Sequence, residues 1–424
     1  MPSVSAGAKR AKFRSSRHPK ESIPQKLFAY GGFDFPFMLI VTVLLCLGLV
    51  MMFSAGYANA VKHHGGDAYY FVKRQAVFAV LGVAAMLLIS KINLNVLRKL
   101  ALPMLAVSFV LLGVVLFYHT NFGEFKRWIP IGSRNNPLLT IQPSEIAKMA
   151  LILFFAYAME KFQRPSYAIS RDAGLVTGRG TRVRRFFLRW WCTGLYLLVL
   201  LAMVALIFLE NHVSGTIITL GIGLLMIFIG EQRIPLWLYA GAVALGVLAV
   251  LFVLRNPDIL PEHAAARIRA FQDPASDPSG DNWQTIQSLL AVGSGGWFGQ
   301  GWGKSIQKHL YLPEPQNDFV FAIVCEELGF VGAILILLLY VALVWRGFMI
   351  ALHTKERFGA LLVMGIVLQI GMQAALNIGV VTAVLPNTGI PLPFFSYGGT
   401  ALLMLLAEMG VVLAVSRVSR EIKR

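Results

Sequence analysis

Charged residues are scarce in this sequence, since Asp, Glu, Lys and Arg make up only 14% of its 424 residues. A soluble domain carries about a quarter charged residues, so this low content, together with 57% hydrophobic residues, excludes an ordinary soluble protein. Long apolar runs such as 37–52 and 333–344 predict helices that cross a bilayer. The predicted fold class is therefore an all-α integral membrane protein with one membrane domain.

Cysteines and acidic residues are also few. The three cysteines, Cys46, Cys192 and Cys325, all fall in apolar segments, which argues against a disulfide framework and a metal cluster. Asp and Glu number 21 against 38 Lys and Arg, so the formal net charge is +17. No basic stripe with interleaved aromatic residues lies outside the apolar segments, so we expect no nucleic-acid partner. The excess positive charge is typical of cytoplasmic loops that set membrane topology.

The apolar segments predict about ten transmembrane helices. In chain order they are 34–54, 71–89, 97–118, 141–159, 190–209, 215–230, 236–254, 318–345, 358–382 and 396–415. Most Lys and Arg residues fall on one side of such a bundle, which places both termini in the cytoplasm. The same rule places a large loop between helices 7 and 8 outside the cell. The predicted parts are a disordered basic tail (1–33), the membrane domain (34–416) with a basic cytoplasmic loop (160–189) and the extracellular loop (255–317), and a basic tail (417–424).

The segment 311–330 concentrates carboxylates around the start of the eighth span. Glu314 and Asp318 precede the apolar residues, and Glu326 and Glu327 follow within the helix. Acids at membrane depth are costly, so they indicate function by default. Asp318 is either an N-terminal helix cap or a general base on the outer face. For the two deeper glutamates, pairing with a basic residue inside the bundle is favoured over contact with lipid.

A second polar group surrounds the start of the fourth span. Pro143 suits the first position of a helix, where the missing N–H has no partner to lose. Glu145 and Lys148 are three residues apart, so they share a helix face and can form an ion pair. Either this pair is structural, or Lys148 and Arg127 supply positive charge to an anionic ligand near the outer leaflet.

The long outer loop and the ninth span supply further candidates. Glycines in 293–303 allow close approach to a ligand, but no strand precedes them, so a dinucleotide-binding fingerprint is rejected. Gln369, Gln373 and Asn377 recur every four residues and form a polar helix face, which is typical of contacts between helices. The Pro- and Gly-rich segment 385–399 that follows predicts a rigid, irregular segment at the outer surface.

Several motifs together resemble those of the SEDS (shape, elongation, division and sporulation) family, the FtsW/RodA/SpoVE-like peptidoglycan polymerases. They are Arg127-Trp128 with Gln142-Pro-Ser-Glu-x-x-Lys148, Gly295-Gly-x-x-Gly-x-Gly-x-Gly303, Leu312-Pro-Glu-x-x-x-Asp-Phe-x-Phe-Ala322 with Glu326-Glu-Leu-Gly329, and Pro386-x-Thr-Gly-Ile-Pro-Leu-Pro-Phe-x-Ser-Tyr-Gly-Gly399. The resemblance covers roughly residues 34–416.

The resemblance implies a multi-pass enzyme of the bacterial cytoplasmic membrane that polymerises lipid II at the outer leaflet. Glycosyl transfer would be inverting, would release undecaprenyl pyrophosphate, and would use Asp318 as the catalytic base. The tail and the basic loop favour a division-type member over an elongation-type one. The candidate substrate and cavity residues are Arg127, Gln142, Glu145, Lys148, Arg267, Arg269, Glu314, Asn377 and Ser396.

The partners that the resemblance implies are lipid II, the nascent glycan strand, a class B penicillin-binding protein (a transpeptidase) and other divisome or elongasome proteins. No cofactor is established by the sequence. A divalent cation, Mg²⁺ or Mn²⁺, is compatible with the implied chemistry, but the sequence identifies no ligands for it.

The chain departs from the family pattern after the fifth span. Members commonly carry Glu/Gln-Pro-Asp-x-Gly-Thr, whereas this sequence reads Glu210-Asn-His-Val-Ser-Gly-Thr216. The usual aspartate therefore has no clear equivalent. His212 either substitutes for it or is a loop residue, and the loop residue is the favoured interpretation. Two other functions stay open. A lipid II flippase would need a polar path across the bilayer, to which Glu408 and the ninth span would contribute, and a non-catalytic scaffold would need no site at all.

Overall fold

The computed structural model describes residues 32–117, 128–133, 136–172, 179–230 and 282–421, with scattered positions between 241 and 272. Its elements are α1 (Phe35–His63), α2 (Tyr70–Ile89), α3 (Leu94–Phe117), β1 (Ile129–Ser133), β2 (Asn136–Ile141), α4 (Pro143–Asp172), α5 (Arg179–Leu209), α6 (Val213–Gly230), a 3₁₀ turn (Pro257–Ile259), α7 (Trp283–Ser294), α8 (Val320–His353), α9 (Arg357–Val381) and α10 (Gly399–Glu421).

Membrane-spanning helices dominate the described residues, as the sequence predicts. Seven helices are long and apolar enough to cross a membrane, namely α1, α2, α3, α6, α8, α9 and α10, and α5 ends in the apolar segment Thr193–Leu209. The predicted seventh span, 236–254, lies largely outside the described residues, as does the tail at 1–33. The chain is a multi-pass helical membrane protein.

The structure differs from the sequence prediction in the connections. The connection between the predicted third and fourth spans contains the antiparallel hairpin β1–β2, in which Ile129 pairs with Ile141. The basic segment 160–189 is not simply a loop, because α4 continues to Asp172 and α5 already begins at Arg179. The C-terminal tail is likewise helical as far as Glu421. Periodicity alone underestimates such helices because their ends are polar and extend past the apolar stretch.

The helix α4 lies in the centre of the bundle. Its residues from Ala147 to Met159 are almost all buried, including Lys148 and Phe155. A helix that is apolar all round belongs inside a bundle, whereas the amphipathic pattern belongs at its surface. By contrast, α2 exposes large apolar side chains such as Val80, as expected for a helix that faces lipid.

At one end of the bundle, polar contacts of Asp34 join three helices. The Asp34 carboxylate caps α1 by accepting from the Phe37 N–H at 3.1 Å. It also accepts from the Arg346 guanidinium at 2.9 and 2.8 Å, while the Asp34 N–H donates to Ser416 Oγ at 3.1 Å. The start of α1, the last turns of α8 and the last turns of α10 therefore meet at one end, leaving loops and helix starts at the other.

The helix α8 is broken at Gly329. This residue has φ 67° and ψ −169°, a left-handed conformation that favours glycine. The break separates the carbonyls of Glu326 and Glu327 from the N–H groups of Phe330 and Val331, which would be their partners in a regular helix. The predicted eighth span is thus two helical pieces joined at one glycine.

The glycine-rich loop 296–301 provides hydrogen-bond partners for the backbone groups that the break in α8 leaves without their helical partners. The N–H groups of Gln300 and Gly301 donate to the carbonyls of Glu326 and Glu327 at 2.9 and 3.0 Å. In return, Phe330 N–H and Val331 N–H donate to the carbonyls of Gly296 and Trp297 at 2.9 and 3.1 Å. Since unpaired backbone groups are costly at membrane depth, this exchange fixes the loop against α8.

Candidate functional site

A cavity of about 1300 Å³ occupies the end of the bundle opposite Asp34. Its wall is formed by the end of α1, the start of α2, the start of α4, the turn before α6, the segment before α8, the middle of α9 and the start of α10. Residues of two predicted motifs, 312–318 and 386–399, form much of its lining. Separate stretches of sequence therefore converge on one polar chamber.

Asp318 lines this cavity just before α8 begins. The N-cap of α8 is Phe319, with no side-chain cap hydrogen bond, so Asp318 is not the capping residue. The Asp318 backbone carbonyl accepts from the Asn377 amide at 2.7 Å. Gly389 has φ 67°, and a Cβ added there would lie 3.1 Å from Asp318 Oδ2, so this glycine leaves room around the carboxylate. The half-buried carboxylate is held from its backbone and faces the cavity.

Lys148 and Glu145 lie on the α4 side of the same cavity. Lys148 Nζ contacts Glu145 Oε1 at 2.8 Å, and the Lys148 side chain is only 2% exposed. Deeper in the bundle, the buried Glu408 of α10 accepts from Gln369 Nε2 at 3.1 and 3.2 Å. The cavity lining thus combines the buried cation of Lys148 with the carboxylates of Glu145 and Glu408.

A second buried ion pair fastens the loop before Asp318. Lys308 Nζ donates to Glu327 Oε1 at 2.8 Å and to Ser54 Oγ at 3.0 Å. Glu326 accepts from the Ser305 hydroxyl and from the Ile306 N–H, the latter at 2.8 Å. The prediction that one of the deep glutamates pairs with a basic residue is therefore confirmed for Glu327.

The predicted cavity residues divide into those that reach the cavity and those that do not. Gln142, Glu145, Lys148, Glu314 and Ser396 line it together with Asp318. Asn377 lies behind the wall, where its amide donates to the carbonyls of Asp318 and Ile390.

Arg269, a candidate cavity residue from the sequence, does not lie at the cavity in the structure. It is exposed and forms an ion pair with Asp258 near the 3₁₀ turn, so it is not a lining residue. A basic residue in a long loop is attracted to the nearest carboxylate, and the sequence does not show which one folds beside it. Arg127 and Arg267 lie outside the described residues.

The polar face of the ninth span is directed inward. Gln369 and Gln373 line the cavity, and Gln373 Nε2 also donates to the Pro391 carbonyl at 3.0 Å. With Asn377, this face joins α9 to the irregular segment 385–399 as well as to α10. The prediction of contacts between helices is therefore correct but incomplete.

Some lining residues carried little signal in the sequence. His212, interpreted there as a loop residue, is buried in the turn before α6, and its Nδ1 lies 3.2 Å from Ser144 Oγ. Lys308 gave no signal by itself, although the need of Glu327 for a cation could have led to it. Arg74 and Tyr397 meet at the rim only through tertiary packing.

A protein-only metal site is not found among the described residues. They contain no group of three or more His, Cys, Asp or Glu side chains able to hold a metal ion. Near the cavity the carboxylates of Glu145 and Glu327 are each engaged by a lysine. The donor set in the described part of the chain therefore does not fit a resident Mg²⁺ or Mn²⁺ ion held by protein ligands alone.

Comparison with known sequences identifies relatives along nearly the whole chain. The family model for the FtsW/RodA/SpoVE cell cycle proteins matches residues 36–421. Stage V sporulation protein E of Bacillus subtilis is 38% identical over 389 residues, which cover 91% of this chain and 98% of that protein. A probable peptidoglycan glycosyltransferase FtsW of Geobacter metallireducens is 37% identical over 389 residues, covering 91% and 94%.

Solved structures share the fold. A chain from work on the structural coordination of polymerization and crosslinking by a peptidoglycan synthase complex matches with a TM-score of 0.69 and 29% identity. The match covers 91% of this chain and 98% of that one. The rod shape determining protein RodA of Thermus thermophilus matches with a TM-score of 0.59 and 27% identity, over 91% and 97%.

The junction between α8 and the glycine loop yields a stability prediction. A Cβ at position 329 would collide with the backbone of Phe298 and Gly299 and would need a left-handed conformation. We expect Gly329→Ala to lower the free energy of unfolding by about 1–3 kcal/mol, measured by thermal unfolding in detergent. The control is Gly113→Ala in α3, where a Cβ meets nothing within 4 Å. Equal melting temperatures for the two variants would contradict this account of the junction.

Proposed function

The chain belongs to the FtsW/RodA/SpoVE family, and from this premise we propose that it is a peptidoglycan glycosyltransferase. It joins the disaccharide units of lipid II into glycan strands at the outer face of the cytoplasmic membrane and releases undecaprenyl pyrophosphate. The proposal includes a role in cell division, with cell elongation as the alternative role.

The observation that carries this proposal is the joint presence of Asp318 and Lys148 in one cavity. A polymerising transferase needs a base where the attacking hydroxyl arrives and positive charge where the diphosphate departs. Asp318 lines the cavity just before α8, and Lys148 lines it from α4, where its side chain is buried. Such an arrangement suits a substrate that enters from the outer leaflet.

In the proposed mechanism, Asp318 accepts the proton of the acceptor sugar hydroxyl as that oxygen attacks the anomeric carbon of the donor. The C–O bond to the diphosphate breaks as the new glycosidic bond forms, so one inversion converts an α-linked donor into a β-linked product. Lys148 stabilises the negative charge that develops on the departing diphosphate. No step is assigned to a divalent cation, because the described residues contain no group of three or more side chains that could hold one by themselves.

Positioning of Asp318 depends on groups around it. Asn377 holds its backbone carbonyl, and the Lys308–Glu327 pair holds the loop that leads to it. A base must lie within hydrogen-bond reach of the proton that it removes, so these contacts matter for the rate even though they do not touch substrate.

We also propose a transpeptidase partner of the class B penicillin-binding type. The support is that one structural relative comes from a peptidoglycan synthase complex in which polymerization and crosslinking are coordinated. A glycan polymerase needs a crosslinking activity beside it, since uncrosslinked strands do not form a wall. The docking face on this chain is left open.

A flippase has less support than a polymerase. Below Glu408, the described part of α10 continues with the buried apolar residues 411–415. A path for a charged saccharide across the bilayer would need polar groups at that depth. On α10, the described polar lining of the cavity therefore ends at Glu408.

The central test of this function is polymerisation of purified lipid II by the purified protein, with and without a class B penicillin-binding protein. We expect glycan strands and released undecaprenyl pyrophosphate, detected by gel electrophoresis and mass spectrometry. The control omits the SEDS protein and keeps the partner. Scrambling of labelled lipid II in liposomes with no glycan product would support the flippase instead, and neither activity would support a scaffold.

Two variants can separate the proposed role of Lys148, stabilising the departing diphosphate, from its ion pair with Glu145. We expect Lys148→Met to lower the polymerisation rate on the order of 100-fold, because the departing diphosphate loses its cation. The matched variant Lys148→Met/Glu145→Gln removes the pair without stranding a buried carboxylate. If this double variant regained the wild-type rate, Lys148 would be structural only. A rate that stays low in both would support the proposed role.

A further inference from the structure

His212 is a titratable side chain that lines the cavity although it is buried, with only 6% of its surface exposed. It lies in the short turn between α5 and α6, directly before α6 begins at Val213. The His212 carbonyl accepts from the N–H and the hydroxyl of Thr216 at 3.0 and 2.9 Å, which fixes the residue to the first turn of α6. An ionisable residue inside a membrane bundle indicates a function by default.

The His212 ring is held between the starts of two helices. Its Nδ1 lies 3.2 Å from Oγ of Ser144, the buried second residue of α4. A Cβ added at Gly215 would lie 2.6 Å from Nδ1 and 2.8 Å from Cε1, so the ring occupies the space that a side chain at 215 would need. Since Ser144 engages Nδ1, a hydrogen bond from the ring to a ligand in the cavity comes from Nε2.

The ring adjoins Lys148 in the cavity wall. Ser144 and Lys148 are four residues apart on α4, so they share a helix face with their Cβ atoms about 5–6 Å apart. Lys148 Nζ contacts Glu145, one turn earlier, so the lysine side chain extends toward the same end of α4 as Ser144. His212 therefore lies beside the cation that is assigned to the departing diphosphate.

The turn before α6 is also attached to the segment next to Asp318. The Ser214 hydroxyl donates to the Thr388 carbonyl. The next residue is Gly389, where an added Cβ would lie 3.1 Å from Asp318 Oδ2. This turn thus connects the α4 wall to the neighbourhood of the proposed base, and the bond that breaks in the proposed reaction lies between those two regions.

Groups of both signs surround the imidazole. Two helices, α4 and α6, begin beside it, and a helix N-terminus carries about half a positive charge from its unpaired N–H groups. Lys148 and Glu145 form an ion pair on α4. Glu210 is buried in the same turn, and the buried Glu408 of α10 interacts electrostatically with both residues of the α4 pair. Because these charges oppose one another, a bound anion can decide whether the imidazole is protonated.

A diphosphate at this wall would bring negative charge next to the ring. An opposite charge within about 4–6 Å favours the charged form of a titratable group. A charged donor also forms a stronger hydrogen bond to a phosphate oxygen than a neutral donor does. Imidazole ordinarily titrates at about pH 6.5, so it gains or loses its proton close to neutral pH.

From these observations we propose that His212 takes up a proton when the diphosphate of lipid II binds, and that the imidazolium donates to the diphosphate through Nε2 beside Lys148. The proton stays on the ring while the C–O bond breaks, so His212 stabilises the departing charge without transferring a proton. Substrate binding by this chain is thereby coupled to pH. This inference rests on the proposed function, since it assigns His212 to the substrate of that reaction.

The experiment measures the affinity of the full chain for lipid II, in nanodiscs of zwitterionic lipid, at about pH 6 and about pH 8. The diphosphate of lipid II is esterified at both ends, so its charge does not change over this range. Because binding takes up a proton, we expect wild type to bind about tenfold more weakly at the higher pH. His212→Gln keeps a polar side chain that does not titrate, so its affinity should change by less than about twofold.

The matched control is His353→Gln, which alters a histidine near Asp34 at the opposite end of the bundle and should keep the wild-type pH dependence. Calorimetry of wild type needs no variant to fold. Lipid II binding in two buffers of different ionisation enthalpy should reveal uptake of up to about one proton near neutral pH. Absence of proton uptake, or the wild-type pH dependence in His212→Gln, would overturn the proposal.

The same wild-type preparation is assayed for lipid II polymerisation, which keeps the two proposals apart. Polymerisation with pH-independent lipid II binding would contradict only the role of His212. Binding that takes up a proton through His212, without polymerisation, would contradict only the enzymatic function.

Discussion

The site depends on one constraint, that backbone groups opened by the break in α8 must find partners at membrane depth. At Gly329 the helix lacks the hydrogen bonds from the N–H groups of Phe330 and Val331 to the carbonyls of Glu326 and Glu327. The glycine-rich loop provides other partners for both the N–H groups and the carbonyls. These hydrogen bonds hold the loop 296–301 against α8. The chain from 305 to 318 then leads back to the start of the same helix at Asp318.

Buried charge reinforces that arrangement. Glu326 and Glu327 lie just before the break, and both are directed to the loop, one to the Ser305–Ile306 turn and the other to Lys308. Removing one partner of a buried pair leaves an uncompensated charge, which is strongly destabilising. The acids that looked like candidates for chemistry are thus committed to holding the loop, and Asp318 is left to face the cavity. On α4, likewise, the buried Lys148 is held in an ion pair with Glu145.

Sequence reasoning predicted the helices well, because each is a long apolar run whose pattern is local. It also singled out several polar residues of the cavity, among them Asp318, Lys148 and Gln373, since polar groups at membrane depth are few and conspicuous. It could not find the break at Gly329, because Glu326-Glu-Leu-Gly329 reads as a continuous helix and its pairing with 296–301 is a contact between segments. Arg269 was wrongly assigned to the cavity, because the sequence does not show that it pairs with Asp258 of the same loop. His212, Lys308 and Arg74 acquire their positions only when helices distant in sequence pack together.

The central claim is that the Asp318 carboxylate acts as the base while the surrounding contacts only position it. The most direct measurement is the polymerisation rate at saturating lipid II for wild type and for Asp318→Asn, with lipid II affinity determined on the same preparations. The account predicts similar affinity and a rate at least about 100-fold lower in the variant, the usual contribution of a positioned general base. A wild-type rate in Asp318→Asn, with unchanged affinity, would contradict it.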